Sequence, residues 1–276
     1  SKGRLYEESM ALLEEAGIKI PGGKRTLLVP ARNFPVEVLF LRDDDIPESV
    51  ASGVADVGIV GLNEVMEKRC PVGILKKLGF GKCRLSLAIP QNIDYQDRNW
   101  FSGKKIATSY PGILSDYLHK NGIVSDIHVI TGSVEIAPGI RLADAIFDIV
   151  SSGSTLVSNR LKEVETVVES EAVLIGTDSI SPEKRGILDE LLFRFDSVQA
   201  ADDKKYILMN VPQKKLNDVL SVLPGIKSPT VMPLADKEWC SVHTVLDEKC
   251  FWEIINRLKT AGAEGILVLD IEKMIL

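Results

Sequence analysis

The residues with the clearest chemistry lie in Leu142–Thr155, L-A-D-A-I-F-D-I-V-S-S-G-S-T. An apolar run, Ala145-Ile146-Phe147 and Ile149-Val150, encloses Asp148 and ends in Ser151, Ser152, Gly153, Ser154 and Thr155. A helix-like pattern follows from Leu156 to Val164. A strand that passes through hydroxyls and a glycine into a helix is a ready anion site, because backbone N–H groups converge there and the helix dipole favours negative charge. Gly153 permits a tight turn and close ligand approach. The hydroxyls can donate to phosphate oxygens. The plain alternative is a strand–turn–helix with a Ser-rich turn. Asp144 stands four residues before Asp148, so on a strand the two acids share a face. A second hydroxyl–glycine turn, Thr131-Gly132-Ser133-Val134-Glu135, brings in Glu135. No nucleophile–base pair stands out: His119, His128 and His243 are scattered and read as structural or surface residues.

The elements that must position these residues alternate between strand and helix. Leu5 to Ala16 has an amphipathic helix pattern stopped by Gly17. Strands are expected at Leu27–Val29 and Val36–Arg42, then a helix from Ile46 to Val54 opened by acids and an early proline. Gly53–Gly61 reads as a strand, Asn63–Arg69 as a helix, and Leu75–Leu78 and Arg84–Pro90 as strands. A second alternating run follows: a strand at Lys104–Thr108, a helix to about Lys120, a strand at Ile127–Ile130, a short helix within Ala137–Leu142, then the central stretch. The alternation predicts an α/β protein with mainly parallel pairing. Thr166–Ile175 reads as one or two strands, and Ser181-Pro182-Glu183 caps a helix to Gln199.

From Ala200 the pattern changes. Strand, helix, strand, strand, helix and strand follow in the order β-α-β-β-α-β, the ferredoxin-like split unit and a natural add-on domain.

The 276 residues suffice for two or three domains. At 45% apolar and 26% charged the composition is that of an ordinary globular protein. The net charge of −6 argues against a nucleic-acid or anionic-membrane binder while leaving room for a local phosphate pocket. Cys70, Cys83, Cys240 and Cys250 have no C-x-x-C spacing, which suits free thiols in a reducing cytosol. No apolar run reaches the length of a membrane span and no signal peptide is visible. Ser1-Lys2-Gly3-Arg4-Leu5 reads as the loop after a first strand that would precede this sequence.

The spacing acid, two apolar residues, two hydroxyls, Gly, small residue, Thr resembles the loop that holds phosphoribosyl diphosphate (PRPP) in phosphoribosyltransferases. One departure is Phe147, where many such motifs carry a second acid. Further segments fall in order: K-G-R-L at Lys2, L-R-D-D-D-I-P at Leu41, G-V-A-D-V-G-I-V-G at Gly53, C-R-L-S-L-A at Cys83, A-T-S-Y-P at Ala107, G-S-V-E at Gly132, and the late S-P-T, F-W-E and E-K-M. Together they resemble, end to end, the long form of ATP phosphoribosyltransferase, the first enzyme of histidine biosynthesis. The C-terminal domain matters to that resemblance, because short-form members lack it.

The resemblance implies two α/β lobes like those of type II periplasmic binding proteins, with the chain crossing between them twice. Residues 1–84 and 168–199 would form the first lobe, 85–167 the second with the PRPP loop, and 200–276 a regulatory ferredoxin-like, ACT-like domain. The cleft would hold ATP and PRPP with Mg²⁺ on the diphosphate, its protein ligands unassigned. Histidine would bind the C-terminal domain and inhibit, near Ser228-Pro229-Thr230. Cytoplasmic dimers and hexamers are implied, without nucleic acid or membrane.

Ser151, Ser152, Gly153, Ser154 and Thr155 would hold the 5′-phosphate. Asp148 would accept from the ribose hydroxyls and stabilise developing positive charge on the sugar, Glu135 would hydrogen-bond the ribose or a metal-bound water, and Asp144 would be a further PRPP contact. Arg4, Arg42 and Arg84 are candidates for the diphosphate or the ATP phosphates, and Tyr110 for stacking on adenine. Each has a plainer alternative: a solvated acid, a surface arginine, a packed ring, a proline-containing edge strand at 228–230. Two rivals stand beside this reading. One is a non-catalytic two-lobed solute-binding protein, the other a different PRPP-dependent transferase with an amino-acid-sensing domain.

Overall fold

The computed structural model describes residues 3–22, 27–224 and 229–276. Helix α1 (Arg4–Glu15) buries Leu12 and Leu13 and ends where Gly17 adopts φ +75°. A short antiparallel pair follows, β1 (Leu28–Pro30) with β2 (Glu37–Leu39). A 3₁₀ turn at Asp43–Asp45 leads into α2 (Ile46–Ala51), β3 (Val57–Gly61), α3 (Leu62–Lys68) and β4 (Gly73–Lys77).

The chain then builds β5 (Cys83–Pro90), β6 (Lys105–Thr108), α4 (Pro111–Lys120), β7 (Asp126–Val129), β8 (Ala145–Val150), α5 (Ser154–Ser158) and β9 (Leu161–Ser170). It returns through β10 (Ala172–Gly176) and α6 (Pro182–Ala201). Two sheets result, β3-β10-β4 and β7-β6-β8-β5-β9. The chain passes between them twice, from β4 to β5 and from β9 to β10. This is the two-lobed arrangement of type II periplasmic binding proteins.

Pairing departs from the expected parallel majority. Among the described residues only β6–β7 and β6–β8 pair in parallel. The reason is topological. Strands β3 and β4 run the same way, but the returning strand β10 is inserted between them and meets each antiparallel. Strand β5 is likewise inserted between β8 and β9, antiparallel to both.

The first lobe packs Val50, Val60, Val173 and Ile175 together. The second lobe has a core on each face of its sheet, one around Leu87, Phe101, Leu114 and Phe147, the other around Ala107, Ile146 and Leu156.

Two further expectations change. The helix after the Ser-rich loop covers five residues rather than Leu156–Val164, and β9 begins at Leu161. Arg160 turns into the left-handed region at φ 56°, which ends the helix, and Val164, Thr166, Val167 and Val168 then favour a strand. The helix expected within Ala137–Leu142 is instead a 3₁₀ turn at Val134–Ile136.

The chain divides into two compact units, Ser1–Glu14 with Ile18–Leu188, and Glu15–Gly17 with Asp189–Leu276. In the second unit, β11 (Lys204–Pro212), α7 (Leu216–Val222), β12 (Thr230–Pro233), β13 (Trp239–Asp247), α8 (Glu248–Ala261) and β14 (Glu264–Asp270) follow in the βαββαβ order. They form the antiparallel sheet β12-β13-β11-β14. Ile207, Met209, Val211, Val242, Phe251 and Leu258 make its core. This is the ferredoxin-like domain expected from the periodicity.

Candidate active site

Strands β6, β7 and β8 run parallel, so their carboxyl ends share one edge of the sheet, where open α/β folds bind ligands. Three loops leave that edge: Thr108–Tyr110, Thr131–Glu135 and Ser151–Thr155. The first two are tied together near their roots. Ile130 N–H donates to the Thr108 carbonyl at 3.0 Å, and Ser109 Oγ donates to the Ile130 carbonyl at 2.9 Å.

The Ser-rich loop turns at Gly153, with φ +81°. Ser152 Oγ and Ser154 Oγ lie 3.0 Å apart, and Ser154 N–H points at Ser152 Oγ at 3.4 Å. Hydroxyls and N–H groups are thus concentrated within five residues. Two arginines hold its first residue. Arg4 Nη1 donates to Ser151 Oγ at 3.0 Å while its Nε pairs with Glu8 at 3.0 Å. Arg84 Nη1 donates to the Ser151 carbonyl at 3.3 Å.

Asp148 sits two residues before the end of β8, half-buried, with Oδ1 accepting from Ile149 N–H at 2.8 Å. Burial pushes its carboxyl up to about 6, the Ile149 N–H opposes the shift, and the nearby Glu135 charge adds to it. The structure therefore brings Asp148 and Glu135 together beside the loop. An acid of this kind, ionised above about pH 6, can face a sugar that gains positive charge.

Asp144 does not join them. It precedes the amino end of β8, where its N–H donates to the Lys105 carbonyl at 2.8 Å and its carboxylate accepts from Lys105 N–H at 2.9 Å. Four residues of strand put it about 13 Å along the chain from Asp148. Asp144 lies in a bend just before β8 rather than on the strand, at the opposite end of the sheet from the loop.

Tyr110 is also differently employed. Its ring is only 8% exposed and packs into the second-lobe core. Its hydroxyl donates to Glu64 Oε1 at 2.8 Å and accepts from Asn63 Nδ2 at 3.2 Å. Burial, then the Glu64 charge, raise the phenol pKa. A ring so enclosed offers adenine little open face.

Arg84 is engaged by Glu163, its Nε and Nη2 each 2.5 Å from a carboxylate oxygen. Arg42 is exposed, with Nε on Asp44 Oδ1 at 3.2 Å. The adjoining acids Asp43 and Asp44 raise Glu64, whose own burial is the larger cause.

The sequence reading missed Asn63, Glu64, Glu67, Ser86 and Glu163. Glu67 accepts from Gly112 N–H at 2.8 Å and from Ile113 N–H at 2.9 Å, capping α4 from α3. Asn63 Oδ1 accepts from Ser170 Oγ at 2.8 Å. None belongs to a local motif, because the partners Ser170, Gly112 and Arg84 lie forty or more positions from Asn63, Glu67 and Glu163.

In the second unit Thr230 pairs with His243 across β12 and β13. His243 Nδ1 lies 2.7 Å from Tyr206 Oη, and its Nε2 2.9 Å from Ser241 Oγ. Ser228 lies outside the described residues, as do Lys2 and Gly225.

A two-lobed α/β frame with a hydroxyl-rich loop and ionisable acids on one strand edge is of the class suited to an anionic ligand. Comparison with known proteins narrows the class. Residues 42–197 match the family model described as ATP phosphoribosyltransferase, and residues 201–273 match its C-terminal domain model. The chain is 70% identical over 276 residues to the ATP phosphoribosyltransferase of Bacteroides fragilis, covering 100% of this chain and 98% of that protein. Identity to that of Cytophaga hutchinsonii is 58% over 273 residues, 99% of this chain and 96% of the relative. Among solved structures, the ATP phosphoribosyl transferase (HisG:HisZ) complex from Thermotoga maritima matches with TM-score 0.61 and 26% identity, covering 70% of this chain and 92% of that one. The chain belongs to the ATP phosphoribosyltransferase family, pentosyltransferases of histidine biosynthesis, in its long form with the C-terminal domain. A non-catalytic solute-binding protein is thereby set aside.

Proposed function

We propose that this chain transfers the phosphoribosyl group of PRPP to N1 of the ATP adenine, releasing diphosphate with inversion at C1′. The observation that carries the proposal is the joint position of Asp148, Glu135 and the Ser151–Thr155 loop on the carboxyl edge of β6, β7 and β8. The loop N–H groups and hydroxyls hold the 5′-phosphate and fix the sugar. Asp148 takes the ribose hydroxyls and, as an anion, stabilises the oxocarbenium character that develops when the C1′–O bond to diphosphate breaks. Glu135 supports the same side of the ribose. Arg4 and Arg42 attract the diphosphate and ATP phosphates from the first lobe. The N1 lone pair forms the new bond, so the protein needs no nucleophile of its own. Its contribution is proximity and charge.

Among the described residues no three or more His, Cys, Asp and Glu side chains gather as a protein cage for a metal. That donor set fits Mg²⁺ bound as it usually is, mostly by substrate phosphates and water with one or two carboxylates, here Asp148 and Glu135. Such an ion would neutralise charge on the departing diphosphate.

The C-terminal domain would bind histidine near Thr230 and Ser228 and lower turnover. The assembled enzyme would be a cytoplasmic dimer or hexamer. No helix among the described residues is long and apolar enough to cross a membrane.

The test is an assay with ATP, PRPP, Mg²⁺ and pyrophosphatase, followed by the ultraviolet absorbance of phosphoribosyl-ATP with and without histidine. Product that falls on adding histidine supports both halves. Product without inhibition removes the regulatory assignment, and absence of product removes the catalytic one.

A further inference from the structure

Arg84 sits opposite Val150 in the β5–β8 ladder, one residue before the Ser-rich loop begins. Three of its five N–H groups are committed to protein acceptors. Two nitrogens grip both oxygens of Glu163 at 2.5 Å, and the third reaches the Ser151 carbonyl at 3.3 Å. Glu163 is held as firmly. Its Oε1 also accepts from Ser86 Oγ at 2.7 Å and from Thr166 Oγ1 at 3.2 Å. With Arg84 as the leading cause, these donors pull the Glu163 carboxyl down to about 2, so the fork stays paired at any working pH.

A trans peptide sets C=O and the next N–H on opposite sides. Fixing the Ser151 carbonyl toward Arg84 therefore turns Ser152 N–H away from Arg84. Arg4 fixes the same residue through its hydroxyl. Ser151 is thus oriented from two elements, while the guanidinium edge that grips Glu163 bidentately is closed to a phosphate.

We infer that Arg84 and Glu163 are positioning residues: as one unit they set the Ser151–Ser152 peptide plane so that the loop presents its N–H groups to the 5′-phosphate, and neither touches the substrate. This rests on the loop's being the 5′-phosphate site. It replaces the expectation that Arg84 binds diphosphate or ATP phosphates.

The experiment measures ribose 5-phosphate binding to the full chain by calorimetry, with steady-state kinetics alongside. Ribose 5-phosphate carries the 5′-phosphate and no diphosphate, so it separates the two roles. Glu163→Gln keeps shape and most hydrogen bonds but loses the charge. Arg84→Lys keeps charge but loses the fork. The expected result is that each weakens ribose 5-phosphate and raises KM for PRPP about tenfold or more, leaves KM for ATP within about twofold, and adds little to the other in the double variant. A variant that merely folds poorly would lower kcat and leave both KM values alone. If Glu163→Gln keeps ribose 5-phosphate affinity and only Arg84→Lys raises KM, Arg84 is a direct ligand and the inference fails. A wild-type chain that makes phosphoribosyl-ATP without measurable ribose 5-phosphate affinity also overturns it. A wild-type chain that does neither sinks the phosphate-loop reading beneath it.

Discussion

Tyr110 Oη donates to Glu64 Oε1 at 2.8 Å, a bond that joins the first residues after β6 to helix α3 of the other lobe. The carboxylate accepts from Asn63 Nδ2 as well, at 3.1 Å. Removing the phenol hydroxyl leaves a half-buried acid short of a donor. Tyr110→Phe should lower stability by about 1–2 kcal/mol, read as a shift in the urea midpoint with unchanged slope. An unchanged midpoint would show that the contact contributes nothing to folding.

Asp148 is held above its ordinary pKa by burial, up to about 6. The folded value exceeds the unfolded one, so the contribution to stability is present below about pH 4 and is lost as pH rises through 6. Asp148→Asn should therefore raise stability at pH 7.5, by on the order of 1–2 kcal/mol after allowance for its partial exposure. The gain should vanish near pH 4. The same variant should cut kcat by about a hundredfold or more, with ATP binding little changed. A variant as active as wild type removes Asp148 from the chemistry.

The rate itself should follow that group. If the carboxylate must be ionised, log kcat/KM for PRPP rises with unit slope below about pH 6 and is level above it. A flat profile from pH 5 to 8 would contradict the role.

Gly153 is left-handed at φ +81°, and a Cβ there would meet nothing closer than Val150 Cγ1 at 4.0 Å. Its substitution is therefore a backbone test with little steric clash. Gly153→Ala should cost about 1–2 kcal/mol, or else displace the loop. Either way KM for PRPP should rise more than KM for ATP, which initial-rate kinetics would detect. Equal KM values in mutant and wild type would separate the turn from the phosphate site.

A Cβ on Gly112 would sit 3.1–3.3 Å from the Glu67 carboxylate, which caps α4 through two N–H groups. Gly112→Ala and Glu67→Gln should each destabilise by about 1 kcal/mol. Because they damage one contact, the double variant should lose clearly less than the sum. Additive losses in thermal melts would mean that the cap is not the shared cause.

Much of the fold is legible in the chain because its signals are local. The βαββαβ domain follows from strand and helix periods between Lys204 and Asp270. The Ser151–Thr155 loop follows from a strand ending in hydroxyls around a glycine. What escaped the sequence depends on contacts distant along the chain. Neither β10's insertion between β3 and β4 nor β5's beside β8 leaves any trace in hydrophobic period, so the parallel majority was misjudged. Asp144 and Asp148 share a face by spacing, yet only the register with Lys105 shows that one lies at the wrong end of the strand. Arg84 and Tyr110 look alike in sequence as candidate polar groups, and Glu67 carries no signal there at all. Their roles were decided by partners 79, 46 and 45 positions away. Residue type and spacing set the chemistry that was possible here. Burial and pairing, properties of the folded whole, decided which groups were left to perform it.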